Sequence, residues 1–221
     1  MTRRTQAMYQ ALFSFIVERA STLHQLDLDP RNVATDFEIA TINAFKAVFP
    51  NVVVTGCHFH LGQSVIRKVN ELGLKTTYRS DPEFALRARM LYCMAYLPTA
   101  DVPAALEHIR TTMPDIGQPL VDYFDKTYVN GPLLRNTTAN ENVHRSPMFP
   151  PPMWNVAHRF ANNMPTTSNH VEAWHRRLKT VIVMDHPSFY SCLHKLRQEQ
   201  RHTEVALIRV ENGFRRQRRD G

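Results

Sequence analysis

The sequence predicts a predominantly helical α/β fold that contains a βαβ unit with parallel strands and a large all-helical insertion. Two extended runs, Asn32 to Asp36 and the β-branched Asn51 to Cys57, flank a helical apolar pattern over Phe37 to Phe49. A strand, a helix and a strand in so short a space imply a right-handed crossover and parallel strands. From Lys75 to Pro165 helix patterns recur without a clear strand, which indicates the insertion.

The first helix is predicted over Thr5 to Ala20 because two adjacent apolar rows at helical spacing form a wide face there. Such a face is typical of a helix laid against a sheet. The rows are Met8, Leu12 and Ile16, then Tyr9, Phe13 and Val17.

The later helices are predicted from residues that typically start or end a helix. Leu61 to Leu72 is a helix that Gly73 ends, and Asp81 before Pro82 starts the first helix of the insertion. Asn130 to Pro152 is polar and contains prolines, which predicts a long loop. Further helices are predicted at Asp101 to Thr111, Gln118 to Tyr128, Trp154 to Asn162 and from Pro187 onward. The predicted domains are a core at 1–75, the insertion at 76–165, returning helices at 166–210 and a basic tail at 211–221.

Composition bounds the class of protein. The 221 residues are 43% hydrophobic and 21% charged, which is ordinary for a globular chain. The net charge of +7 suits a polyanionic partner such as nucleic acid, and equally a basic protein without one. Three cysteines give no disulfide framework, so a reducing compartment is predicted. No membrane partner is expected because no apolar run reaches the roughly 18 residues of a span.

Three short motifs follow one another along the chain. They are Thr35-Asp-Phe-Glu38 followed by Ala44-Phe45 and Val48-Phe-Pro50, then Gly56-Cys-His-Phe-His-Leu-Gly-Gln63, then Asn169-His-Val-Glu-Ala-Trp-His175. In this order the chain resembles the Mutator-like transposase domain of eukaryotic DNA transposons. The similarity extends over most of the chain, roughly from Thr5 to Ala206, and includes the proline cluster and Trp-Asn-Val of Pro147 to Val156.

The resemblance implies a ribonuclease-H-like core, here partial, with a helical insertion before its last acidic residue. It implies DNA cleavage and strand transfer, in which three carboxylates hold two Mg²⁺ or Mn²⁺ ions about 3.5–4 Å apart. Matched by motif, Asp36 is the second carboxylate and Glu172 the third. From the residues alone, Asp36 is also explained as a helix cap, and Glu172 as a solvated carboxylate favoured by a helix dipole.

The first carboxylate of the family has no counterpart in this sequence. In the family it lies on an early strand, whereas the first acidic residue here, Glu18, falls inside the first predicted helix. We therefore expect the chain to be a fragment of a transposase that is inactive alone. The alternative is a domesticated DNA-binding or regulatory protein without catalysis. The resemblance implies DNA as partner, a possible homo-oligomer and the nucleus as location.

Cys57 and His60 have the spacing of half a zinc site. Completion would require further ligands, for which His158, His170 and His175 are the candidates. Structural packing and hydrogen bonding is the alternative interpretation, and the one we favour.

A basic patch is predicted on the helix that carries Glu172. Arg176, Arg177 and Lys179 would contact the DNA backbone, and His175 would contact a phosphate or orient a neighbour. The alternative for these side chains is a solvated surface. Trp174 is expected to be buried in a core.

Overall fold

The computed structural model describes residues 4–134, 144–163, 166–167, 173–174, 176–178, 180 and 188–213. The chain divides into two compact units, Met1–Ser168 and Asn169–Gly221. Among the described residues the chain is predominantly helical, with a small parallel sheet, as predicted.

The sheet lies in the first unit and consists of β1, Asn32–Thr35, and β2, Val53–Gly56. The two strands are parallel, with Asn32 opposite Val53 and Thr35 opposite Gly56. Helix α2, Ile39–Val48, makes the connection between them. The predicted βαβ unit with parallel strands is confirmed, and each of its three elements is shorter than predicted by one to three residues at its ends.

Helix α1 spans Gln6–His24, and the Thr5 hydroxyl caps it by accepting a hydrogen bond from the amide of Met8. It packs on α2, where the rings of Phe13 and Phe45 stack with centroids 4.1 Å apart. The row of Tyr9, Phe13 and Val17 is thereby half-buried. The other predicted row stays exposed, so the expectation of a wide face laid against a sheet was wrong: α1 contacts a neighbouring helix through one row.

Helices α3 to α9 complete the described part of the first unit. They are α3, His58–Glu71; α4, Lys75–Ser80; α5, Pro82–Cys93; α6, Val102–Thr112; α7, Gln118–Phe124; α8, Pro151–Trp154; and α9, Ala157–Ala161. A π-helix, Asp125–Val129, continues α7. Between α7 and α8 the described residues contain one isolated antiparallel bridge, from Leu133 to His144.

The short helix predicted from Trp154 to Asn162 is observed as α9, Ala157–Ala161, and Trp154 instead ends a separate helix, α8. Asn155 adopts an extended conformation after α8. Its side-chain oxygen then accepts a hydrogen bond from the amide of Ala157, which starts α9. A polar side chain that competes for backbone groups favours such a break.

Among the described residues of the first unit, a hydrophobic core joins the sheet to the helices that follow it. Leu61, Val65 and Val69 of α3 are buried on one face, at the helical spacing that the sequence predicts. Trp154 is fully buried, and its indole N–H donates to the carbonyl oxygens of Tyr128 and Phe149 at 2.8 and 3.1 Å. Helices α5, α6 and α7 therefore share their core with α3.

In the second unit the longest described element is α10, Phe189–Glu211, which the Ser188 hydroxyl caps by accepting from the amide of Ser191. Across the described ranges, no helix combines the length and the apolar character that a membrane span requires.

Candidate functional site

The carboxyl edge of the small sheet brings two predicted site residues together. Thr35 and Gly56 are opposite one another as the last residues of their strands, so Asp36 and Cys57 follow at the same edge. The amide of Cys57 donates to the carbonyl of Thr35 at 3.0 Å, which fixes this alignment. Ligands of open α/β sheets bind outside such edges.

His60 lies against Asp36. Cys57 precedes the first residue of α3, so His60 falls in the first turn of that helix. Its Nδ1 lies 2.9 Å from Oδ1 of Asp36, and the two side chains are 20% and 61% exposed, respectively. The Asp36 carboxylate thus contacts an imidazole on one side and keeps much of its surface open to solvent.

The residues next to Asp36 anchor its position. A Cβ placed on Gly56 would lie 2.4 Å from the Phe37 ring, so the glycine makes room for that ring. The ring makes edge contacts with Tyr128 and Phe149, with centroids 5.6 and 5.0 Å apart. Phe37 therefore ties the loop after β1 to the helical part of the core.

Glu38 ties the same loop to α1 and α2. Its carboxylate accepts hydrogen bonds from the hydroxyls of Tyr9 and Thr41, each at 3.2 Å for the closest pair of atoms. These bonds occupy a carboxylate that would otherwise compete with Asp36 for a cation.

Arg159 is a residue that the sequence did not single out. Its Nη2 donates to the carbonyl of Gly56 at 3.1 Å, and burial lowers the pKa of its guanidinium. The contact joins α9 to the end of β2 across more than a hundred positions of sequence, so no local pattern could have indicated it. It adds a half-buried cation to the edge that carries Asp36 and Cys57.

His58, the first residue of α3, contacts α5 and the turn that follows it. Its Nε2 lies 3.3 Å from the carbonyl of Tyr92, and its ring contacts the rings of Tyr92 and Tyr96. Burial lowers the pKa of His58. A groove of about 580 Å³ begins there and continues along α3 past Gln63 and Arg67.

Among the described residues, no further zinc ligand joins Cys57 and His60. In that part of the chain no group of three His, Cys, Asp or Glu side chains has the geometry to hold a metal ion, and His158 does not join the pair. Cys57 is 1% exposed. His170 and His175 lie outside the described residues, so zinc stays a prediction.

The remaining predicted residues belong to the second unit. Glu172, His175 and Lys179 lie outside the described residues. Arg176 is exposed. The Nε of Arg177 lies 3.0 Å from Oε2 of Glu199, a carboxylate whose side chain is 9% exposed, while the arginine is 52% exposed.

Trp174 is 43% exposed, so its predicted burial was wrong.

No protein-family model, curated protein or solved structure matches the chain.

Proposed function

We propose that the chain is part of the catalytic core of a DDE-type DNA transposase of the Mutator-like kind, with a partial ribonuclease-H-like fold. In this proposal Asp36 and Glu172 are metal-binding carboxylates for DNA cleavage and strand transfer. One observation carries it: Asp36 stands, largely exposed, directly after β1 at the carboxyl edge of a parallel βαβ unit. That is the edge at which open α/β sheets place their active sites.

The described residues alone do not fit a two-metal centre. Asp36 supplies one hard oxygen donor and His60 a nitrogen, whereas Mg²⁺ takes oxygen ligands. Glu38 is held by hydroxyl groups instead. We therefore propose Glu172, the third carboxylate of the family pattern, as the other metal-binding carboxylate.

A bound divalent ion would stabilise the attacking and leaving oxygens at a phosphodiester. The residues of the chain would position it: Asp36 as a ligand, and His60 as a neighbour that restrains the Asp36 carboxylate. Phe37, packed among aromatic rings, keeps the backbone of that strand end in place. We expect no DNA cleavage by these 221 residues alone, because two carboxylates hold a pair of dications more weakly than three.

A second candidate is DNA binding without catalysis. The net charge of +7 and the exposed Arg176 support it, since phosphate contacts are made chiefly by arginine and lysine. Both candidates predict an affinity for duplex DNA that falls steeply as the salt concentration rises. They differ in whether Asp36 binds a divalent ion.

The deciding experiment is a Mn²⁺ titration of the purified chain, followed by electron paramagnetic resonance of the free ion. We expect weak binding in the parent, and loss of that binding in Asp36→Asn and in Glu172→Gln. Asp29→Asn is the matched control, since Asp29 is an exposed aspartate in the loop before β1. Equal Mn²⁺ affinity in the parent and Asp36→Asn would contradict the metal-binding role and leave DNA binding alone.

A further inference from the structure

Helix α10 carries a heptad pattern along its whole length. Starting at its first residue, seven positions recur with the alternating spacing of four and three that defines a coiled-coil seam. These positions are Phe189, Leu193, Leu196, Gln200, Thr203, Leu207 and Val210. We call this set the α10 stripe.

The α10 stripe is open to solvent over most of its length. Phe189, Leu207 and Val210 are 74%, 57% and 65% exposed, and Leu196 is 40% exposed. Gln200 and Thr203 are exposed as well. Leu193 is half-buried, and Glu199, the one residue of α10 that is buried and the partner of Arg177, lies at the flank of the α10 stripe. Five of the seven members of the α10 stripe are apolar, and exposed apolar surface of this extent marks an interaction surface.

The charges beside the α10 stripe indicate which partner fits. If two copies of α10 pair antiparallel, Leu193 meets Val210 of the other copy, Leu196 meets Leu207, and Gln200 meets Thr203. The same register places Arg197 beside Glu204 of the other copy, twice by symmetry. Opposite charges at the positions flanking a seam set the orientation of its helices.

Parallel pairing lacks these advantages. It places Glu199, whose carboxylate already pairs with Arg177, beside Glu204 of the second helix, and it gives no attractive pair at the flank of the seam. It also stacks Gln200 on Gln200 and Thr203 on Thr203. Antiparallel pairing instead puts Gln200 and Thr203 in the same central layers, where an amide and a hydroxyl can hydrogen-bond to each other.

We propose that the α10 stripe is a self-association surface, on which a second copy of this chain docks its own α10 antiparallel. The interface is three heptads long, so its affinity is modest and dimerisation depends on concentration. The inference does not rest on the proposed transposase function, since it uses no residue of the first unit.

The test is sedimentation velocity of the full chain from micromolar to several hundred micromolar concentration. The expected result is a monomer–dimer equilibrium that Leu207→Glu abolishes. Ile208→Glu is the matched control, because Ile208 is the next residue, is 54% exposed and lies off the α10 stripe. Circular dichroism of both variants checks that the helix content is unchanged.

Charge reversal tests the orientation. Glu204→Arg is expected to weaken the dimer roughly tenfold, because each of two attractive contacts with Arg197 becomes repulsive. Adding Arg197→Glu to that variant restores the parent affinity.

Three results would overturn the proposal. A parent chain that stays monomeric at every concentration would mean that the α10 stripe serves another partner. Equal loss of the dimer in Leu207→Glu and Ile208→Glu would place the interface elsewhere. A tighter dimer in Glu204→Arg would indicate parallel pairing, since an arginine there would attract Glu199.

Discussion

Nδ1 of His60 lies 2.9 Å from Oδ1 of Asp36, a contact between the first turn of α3 and the residue that follows β1. The pair combines a carboxylate that is 61% exposed with an imidazole that is 20% exposed. Contacts between polar side chains with this much solvent access contribute about 0–1 kcal/mol to folding. A role for the contact in positioning the carboxylate is therefore separable from a role in stability.

The first prediction concerns Asp36 and distinguishes its role in metal binding from a role in stability. Asp36→Asn is expected to change the free energy of unfolding by less than about 1 kcal/mol, because the lost contact is largely solvated. The same variant is expected to lose Mn²⁺ affinity. Urea unfolding and the Mn²⁺ titration measure the two effects on one preparation. A large loss of stability would instead identify Asp36 as a structural residue. It would not be the helix cap that the sequence also allows, because α2 begins at Ile39 and Glu38 occupies its N-cap position.

The sequence located half of this site. An acidic residue after an extended run and before a helix marks a strand end, so Asp36 and its place at the sheet edge followed from local pattern. The same reasoning placed Cys57 at the end of the second strand. His60 was singled out only for its spacing to Cys57, and its contact with Asp36 joins segments that periodicity does not relate. Arg159 lies farther still along the chain, and no motif marks it.

The second prediction concerns Arg110, which joins α6 to α7 and the π-helix. Its Nη1 and Nη2 lie 2.6 and 2.7 Å from carboxylate oxygens of Asp122 and Asp125, and the Asp125 side chain is 17% exposed. Arg110→Lys is expected to cost about 1–3 kcal/mol of unfolding free energy, because a lysine cannot donate to both carboxylates from one planar group.

The matched control is Glu71→Gln, which removes the exposed pair of Glu71 with Lys68, where the two atoms are 3.1 Å apart. It is expected to cost less than about 0.5 kcal/mol, as surface pairs on one helix do. Chemical denaturation measures both variants. Equal small effects would show that the Arg110 contacts do not join the helices energetically.

The third prediction concerns Trp154, which is 0% exposed. Trp154→Phe leaves a cavity and removes the indole N–H, so the carbonyls of Tyr128 and Phe149 lose a donor. We expect a loss of about 2–4 kcal/mol from the two effects together. Trp174→Phe is the control, since Trp174 is 43% exposed. Similar losses in the two variants would contradict the central place of Trp154 in the core.

Much of the fold was predictable because its signals are local. The cap at Asp81, whose carboxylate accepts from the amides of Glu83 and Phe84, and the apolar row of α3 both appear in the sequence. The packing of α1 was not predictable. Two apolar rows looked equivalent, and what distinguishes them is the tertiary neighbour, Phe45 on α2, which covers one row and leaves the other exposed.

The last prediction concerns the pH dependence of Tyr128, whose hydroxyl donates to Oγ of Ser64 at 2.9 Å. Burial raises the pKa of Tyr128 above its ordinary value near 10. Below about pH 10 the phenol is neutral in both states, so Tyr128→Phe loses only the hydrogen bond, about 0.5–1.5 kcal/mol. Above that pH the unfolded chain releases this proton while the folded chain keeps it, which lowers the stability of the parent.

The variant has no phenol at position 128, so its unfolding free energy does not fall for that reason. The difference in unfolding free energy between parent and Tyr128→Phe should therefore shrink as the pH rises above about 10. Urea denaturation of both chains at a series of pH values measures the difference. Tyr190→Phe is the control, because Tyr190 is 80% exposed, and its difference from the parent should stay constant. A constant difference for Tyr128→Phe as well would show that burial does not hold the Tyr128 proton in the folded state.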